Sequence, residues 1–166
     1  MATNTALSEK EYARTSFENP DREYRDGELV DRSMPTFNHG ETQGDLYARF
    51  RSLRPRFAVY PCVETRMKLR PGLYRIPDVA VFFGERPLEV PDTPPLIAIE
   101  ILSVDDRMSE ILEKLQEYHV WGVLHIWLVD PRTRRIYAWE SGVREVESLR
   151  VPELELILTP DDVFGA

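Results

Sequence analysis

The 166-residue chain is 42% hydrophobic and carries 21 basic against 29 acidic side chains, a formal charge of −8. That is enough apolar material for one ordinary domain with a real core, and the wrong overall charge for a sequence-independent coat on nucleic acid. The single cysteine, Cys62, excludes an intramolecular disulfide framework, no run approaches the ~20 consecutive apolar residues of a spanning helix, and the first seven residues lack a signal-peptide core. The expectation is a soluble, cytoplasmic protein forming a single domain over residues 1–166, with a short helical extension over about residues 1–20.

In chain order, Ser8 with Glu11 three residues on is a capping box for a short amino-terminal helix. Asp26-Gly27, flanked by Tyr24 and by Leu29-Val30, is the turn of a hairpin. Leu46, Tyr47, Phe50 and Leu53, spaced by three and four, predict a helix from near Asn38 that Pro55 ends. Strands follow over residues 57–60 and 63–69, then a turn at Pro71-Gly72, a strand over residues 76–83 and another over residues 96–102. Met108, Ile111, Leu112, Leu115 and Tyr118 make one apolar stripe, so residues 105–120 read as a helix stopped by Gly122. Two strands, residues 126–129 and 136–139, flank a turn at Asp130-Pro131, and residues 154–158 form a last amphipathic or extended segment before an acidic tail.

One residue breaks this pattern. Glu100 lies inside the apolar run Leu96-Ile97-Ala98-Ile99-Glu100-Ile101-Leu102, whose length and bounds describe a strand covered on both faces. An ionised carboxylate taken out of water costs several kcal/mol unless a cation, a metal or a proton neutralises it. Asp78, at the start of the preceding apolar run, is placed to share that burden, and two acids on neighbouring strands make a divalent-metal site. Two like charges so close also predict that one carboxyl holds a proton near neutral pH, and that neutral replacements leave the metal-free chain no less stable.

Charge is uneven along the chain. Residues 46–75 hold eight basic side chains (Arg49, Arg51, Arg54, Arg56, Arg66, Lys68, Arg70 and Arg75) against one acid, Glu64. Such a strip can hold a phosphate backbone, because neutralisation of phosphates is local; it can equally be a solvated face whose arginines pair with acids elsewhere. Arg51, Arg54 and Arg56 are the candidates for backbone contact. His119 and His125 have no partners at metal-ligand spacing, and Trp121, Trp127 and Trp139 read as packing residues.

The segments Asp26-Gly27-Glu28-Leu29-Val30, Pro35-Thr36 followed by His39, Pro77-Asp78-Val79-Ala80-Val81, Glu100-Ile101-Leu102-Ser103, Lys114-Leu115 with Tyr118, and Gly122-Val123 leading to Trp127-Leu128-Val129-Asp130-Pro131 resemble, in order and spacing, the Uma-two family of restriction-endonuclease-like proteins. The match runs over about residues 24–139. That family belongs to the PD-(D/E)XK nuclease superfamily. The resemblance implies a restriction-endonuclease-like α/β (α+β) fold, a central mixed sheet flanked by helices, and hydrolysis of DNA phosphodiester bonds with Mg²⁺ or Mn²⁺ held by Asp78 and Glu100.

The superfamily pattern has a lysine two residues after the second acid, where this chain has Leu102. In relatives the lysine comes from the following helix, and Lys114 matches that position; its alternative is a surface pair with Glu110. The resemblance also makes Glu28 an accessory acid, against an exposed hairpin carboxylate, and His39 a substrate contact, against a capping histidine. A duplex-cutting enzyme of this size is expected as a homodimer, with apolar surface on the amino-terminal helix and the Trp139 hairpin. The alternative class is a nuclease-fold module without catalysis, acting in regulation or protein interaction.

Overall fold

The computed structural model describes residues 6–165; the first five residues of the expected amino-terminal extension lie outside the described part. Helix α1 (Glu9–Arg14) has the expected capping box, with Ser8 and Glu11 bonding reciprocally. Strands β1 (Glu23–Arg25) and β2 (Glu28–Val30) form the expected hairpin. Its turn residues Asp26 and Gly27 have φ of 48° and 98°, the left-handed pair that matches the twist of two antiparallel strands. Helix α2 (Phe37–Ser52) starts where Thr36 accepts the backbone N–H of His39.

The following strands are β3 (Val59–Val63), β4 (Met67–Arg70), β5 (Leu73–Arg75), β6 (Val79–Phe83) and β7 (Ile97–Ile101). Helix α3 (Met108–Trp121) leads to β8 (His125–Asp130), β9 (Arg135–Trp139), β10 (Val143–Glu145), β11 (Leu149–Val151) and β12 (Leu156–Leu158), and α4 (Pro160–Phe164) closes the chain. A six-stranded sheet has the order β10-β9-β8-β7-β6-β3. It is mixed: β7 and β8, joined through α3, run parallel, and the other neighbours are antiparallel. A four-stranded antiparallel sheet has the order β2-β1-β5-β4, and β11 pairs with β12.

All five residues of β7 are buried, because both faces of the large sheet are covered. Ile97, Ile99 and Ile101 pack with Leu46 and Phe50 of α2, while Ala98 packs with Leu115 and Tyr118 of α3. Strand alternation therefore points Glu100 to the α3 face. A third cluster, Tyr12, Tyr24 and Tyr74, holds α1 on the small sheet.

Two departures from the sequence reading matter for the site. The strand expected over residues 76–83 begins only at Val79: β5 before it belongs to the small sheet and β6 to the large one, and the chain crosses between them at Ile76-Pro77-Asp78, which leaves Asp78 just ahead of the strand. Pro77 has no N–H to offer a ladder, so the break falls there. The α3 helix begins three residues later than the apolar stripe predicts, because Asp106 accepts the Ser103 N–H at 2.7 Å and the Ser33 hydroxyl at 2.6 Å. Three-residue strands β10, β11 and β12 carry too few residues for a periodic signal.

The α1 surface expected for self-association is spent inside the chain. Tyr12 is fully buried, donates its hydroxyl to the Arg22 carbonyl at 2.7 Å and lies 4.4 Å under the Arg66 guanidinium. Tyr12→Ala should therefore destabilise the protein by about 3–5 kcal/mol, the range for truncating a buried aromatic, measured by urea unfolding; a loss under 1 kcal/mol would mean that α1 is not docked in solution.

Candidate active site

Asp78 and Glu100 are each 4% exposed. Val79 pairs with Ile99 across the antiparallel β6–β7 ladder, so the register extended by one residue sets Asp78 opposite Glu100. Asp78 is fixed by the Ile101 N–H, which donates to its Oδ2 at 2.7 Å. From the facing helix, Lys114 Nζ lies 2.9 Å from Glu100 Oε2, and the Tyr118 hydroxyl donates to Glu100 Oε1 at 2.7 Å. Residues 114 and 118 are one turn apart, so both reach the same carboxylate. Lys114 also lies 2.8 Å from Glu23 Oε1 and donates to the Ile76 carbonyl at 3.2 Å, which engages all three of its N–H groups. Its partner is thus the buried acid of β7; Glu110 pairs instead with Arg107.

A second group meets Asp78 on its other oxygen. Oδ1 lies 3.0 Å from Arg32 and 3.4 Å from His39 Nε2, while His39 Nδ1 is 3.1 Å from the Ser103 hydroxyl. Arg32 also pairs with Glu64, and Gln43, one turn along α2 from His39, donates to Glu64 and to the Asp78 carbonyl. On the small-sheet side, Arg75 joins Glu23 at 2.8 Å and Glu117 at 2.6 Å. The resulting cavity, about 100 Å³, is lined by Glu23, Arg32, His39, Asp78, Glu100 and Lys114 among others.

The two central acids are electrostatically unlike. Burial pushes the Glu100 carboxyl up to about 7, with the charges of Asp78 and Glu23 adding to it against the pull of Lys114 and Tyr118. Burial acts on Asp78 in the same direction but is outweighed by His39, Lys114 and Arg32, which hold it below the ordinary carboxylate value. Glu23 is likewise held low, because Lys114 and Arg75 outweigh its burial. His39 is raised: burial disfavours its charge, but the Asp78 carboxylate favours it more. One carboxyl sharing a proton near neutral pH was the expectation, and it falls on Glu100. The expectation that neutralising either acid is harmless needs correction for Asp78, whose charge is matched by cations.

Glu28 is exposed on β2 and does not line the cavity. Glu23, five residues earlier, occupies the accessory position. The difference is strand order: β2 is an edge, whereas β1 lies between β2 and β5 and its Glu23 is 3% exposed. Recognising β5 in the sequence would have singled out Glu23. Arg32 and Arg75 carried no sequence signal beyond their charge. His39 has its capping role, since its N–H donates to the Thr36 hydroxyl, and its ring faces Asp78.

The basic strip divides. Arg49, Arg56, Arg66, Lys68, Arg70 and Arg75 pair with Asp162, Glu155, Asp21, Glu9, Asp26 and Glu23 respectively. Arg51 and Arg54 form no ion pair among the described residues, and Arg54 lies 5.2 Å over the Tyr60 ring. His125 pairs with Glu153 at 2.8 Å, His119 lies tilted against Trp139 with ring centroids 5.7 Å apart, and Asp130 caps its own turn through Thr133 and Arg132.

The donor set fits a hard divalent cation. His39, Glu64 and Asp78 each offer an atom within 4.8 Å of the others; Asp78 of the expected pair belongs to this group, and Glu100 does not. Two carboxylates and one imidazole are ligands for a divalent cation rather than for a thiolate-seeking metal.

Two substitutions separate the acids. The folded state retains a Glu100 proton that the unfolded chain releases above 4.5, so this contribution is full below 4.5 and is lost as pH rises through about 7. Thermal melts from pH 5 to 8 in metal-free buffer should show Glu100→Gln flattening the decline toward high pH. Asp78 runs the other way: its charged form is favoured, its contribution is present above 3.8 and lost as pH falls below it. Asp78→Asn should cost about 3 kcal/mol or more at neutral pH, since it strands Arg32 and His39; equal behaviour of the two variants would overturn this assignment.

A crystal structure described as a "putative nuclease belonging to DUF820" from Anabaena variabilis ATCC 29413 superposes with a TM-score of 0.80 at 22% identity, covering 93% of this chain and 96% of that one. That likeness shows the fold. Among curated proteins none matches. The model of the Uma2 family, described as "Putative restriction endonuclease", matches residues 10–166, and the chain belongs to that family.

Proposed function

We propose that the chain is a divalent-metal-dependent nuclease that hydrolyses phosphodiester bonds of DNA, with Mg²⁺ or Mn²⁺ as cofactor. The observation that supports this reading is the buried cluster in which the Ile101 N–H, beside Glu100, donates to Asp78 Oδ2 at 2.7 Å and Lys114 lies 2.9 Å from Glu100. A metal held by these acids would polarise the phosphate and lower the pKa of bound water. Asp78 would contribute the ligand, its orientation set by the Ile101 N–H. Glu100, whose carboxyl burial pushes up to about 7 in the metal-free site, would release its proton as the cation binds and would serve as the second carboxylate. Lys114 would exchange one of its three internal bonds for a phosphate oxygen and hold the charge that develops there. His39 and Arg32, facing Asp78, would meet the substrate phosphate from the α2 side.

A second reading, a module that keeps the fold without catalysis, draws on Leu102 in the strand position of the lysine and on the full engagement of Lys114. Leu102 packs in the α3-side core beside Leu115 and Tyr118. A lysine delivered from α3 therefore approaches the face that Leu102 occupies, which favours the catalytic reading.

Supercoiled DNA incubated with the protein should be nicked with Mg²⁺ or Mn²⁺ and left intact with chelator. Asp78→Asn and Glu100→Gln should reduce the rate at least ~100-fold and remove the metal-induced rise in melting temperature. Lys114→Met should reduce the rate as strongly while retaining part of the metal-induced shift. It should also cost about 3–5 kcal/mol of stability, since Glu23 and Glu100 lose their shared cation. No nicking with any ion would favour the second reading, and nicking that persists in chelator would overturn the metal dependence. Cutting both strands requires two sites, which a symmetric dimer would supply; light scattering showing only monomer would remove the dimer from the proposal.

A further inference from the structure

The carboxyl-terminal half of α2 and the outer edge of β3 frame a cleft of about 310 Å³ lined by Tyr47, Arg51, Arg54, Tyr60, Thr65 and Arg86. It shares no lining residue with the acidic cavity. Most basic side chains of this chain are matched to acids, but Arg51, Arg54 and Arg86 form no ion pair and no side-chain hydrogen bond among the described residues, and all three are exposed. Three unmatched guanidinium groups converge on one cleft in a chain of net charge −8, a local concentration of positive charge. The one acid at its rim, Glu89, is exposed and likewise forms no ion pair among the described residues.

One face of α2 links the cleft to the candidate active site. Gln43 on α2 donates to the Asp78 carbonyl and to Glu64; Tyr47 and Arg51 follow at successive turns of the same helix face. Glu64 faces the acidic cavity through Arg32, and its neighbour Thr65 lines the cleft. Eight residues separate Gln43 from Arg51, or ~12 Å of helix at 1.5 Å per residue. A nucleic-acid strand advances about 3.4 Å per nucleotide along a duplex, so this distance corresponds to three or four nucleotides.

We propose that the Arg51–Arg54–Arg86 cleft binds the sugar-phosphate backbone of the substrate strand, three or four nucleotides from the phosphate at Asp78 and Glu100. This rests on the nuclease reading and specifies its substrate contact. Arg54 is held over the Tyr60 ring, which orders its guanidinium before any strand arrives, while Arg51 and Arg86 close on the phosphates from the helix and from the loop after β6. The contact is independent of base sequence, because guanidinium to phosphate carries no base information.

The test is fluorescence-anisotropy binding of a labelled DNA duplex, with Ca²⁺ replacing Mg²⁺ and the strand checked to be uncut, across a salt series. Arg51→Gln/Arg86→Gln should weaken binding about tenfold or more, equally for unrelated sequences, and make the log-log salt slope less steep by ~1.8, the counterion release of two phosphate contacts. The matched control is Arg135→Gln/Arg144→Gln, which removes the same two charges from exposed pairs on β9 and β10, at the opposite end of the large sheet. It should leave affinity and slope unchanged. If the cleft variant binds with wild-type affinity and slope, the subsite is overturned while the nuclease reading stands. If both double variants weaken binding alike, the effect is net charge and the subsite is again overturned. If the wild type binds no DNA, both readings fall together.

Discussion

The Lys114 ammonium, buried between Glu23 and Glu100, is the interaction on which the rest of the site depends. Four separate pieces of chain meet at this one atom: β1 of the small sheet through Glu23, β7 of the large sheet through Glu100, the crossing segment through the Ile76 carbonyl, and α3 itself. Each buried charge would be expensive alone. Together they are tolerable because the cation lies within 3 Å of both carboxylates and because Arg75 and Tyr118 take up the remaining oxygens. Apolar packing decides that the sheets are covered; this node decides how the small sheet sits against the large one.

The same node gives the site its asymmetry. Lys114 is shared by two acids, whereas Asp78 is served by Arg32 and His39 from the other side and by a backbone N–H. Two equally buried carboxylates, one on β7 and one just before β6, therefore differ in affinity for a proton because of where the cations stand rather than how deeply each is buried. A reaction that needs one group charged and one near its titration point finds both within a single strand pair.

The large sheet, the α3 stripe and the pairing of Asp78 with Glu100 were legible because each leaves a regular mark: apolar runs, a three-four spacing, and a charge where none belongs. Glu23 was not, and neither was β5. A three-residue strand has no period to detect, and Glu23 is buried only because β5 pairs on its far side. Glu28, next to the recognisable Asp26-Gly27 turn, drew attention for its motif but stands on the edge strand. The basic strip misled in bulk and informed in detail. Its charge count was right, but which arginines remain unmatched is set by acids as distant in sequence as Glu155 and Asp162, which only the tertiary structure brings near.

Carrying the lysine on a helix rather than on the strand beside Glu100 makes the site sensitive to angular phase. A side chain on a strand keeps its direction if the following loop changes length, but each residue added before α3 would turn Lys114 by about 100° around the helix axis and out of the node. The short connection between β7 and α3 is correspondingly stapled: Asp106 bonds both Ser103, at the end of the strand, and Ser33, in the segment that carries Arg32. Ser103 in turn touches His39. A deletion or insertion among residues 102–107 would thus dephase the lysine and unclip the histidine in one step, so length variation between relatives of this chain is expected in other loops, such as that over residues 84–95, and not in this one.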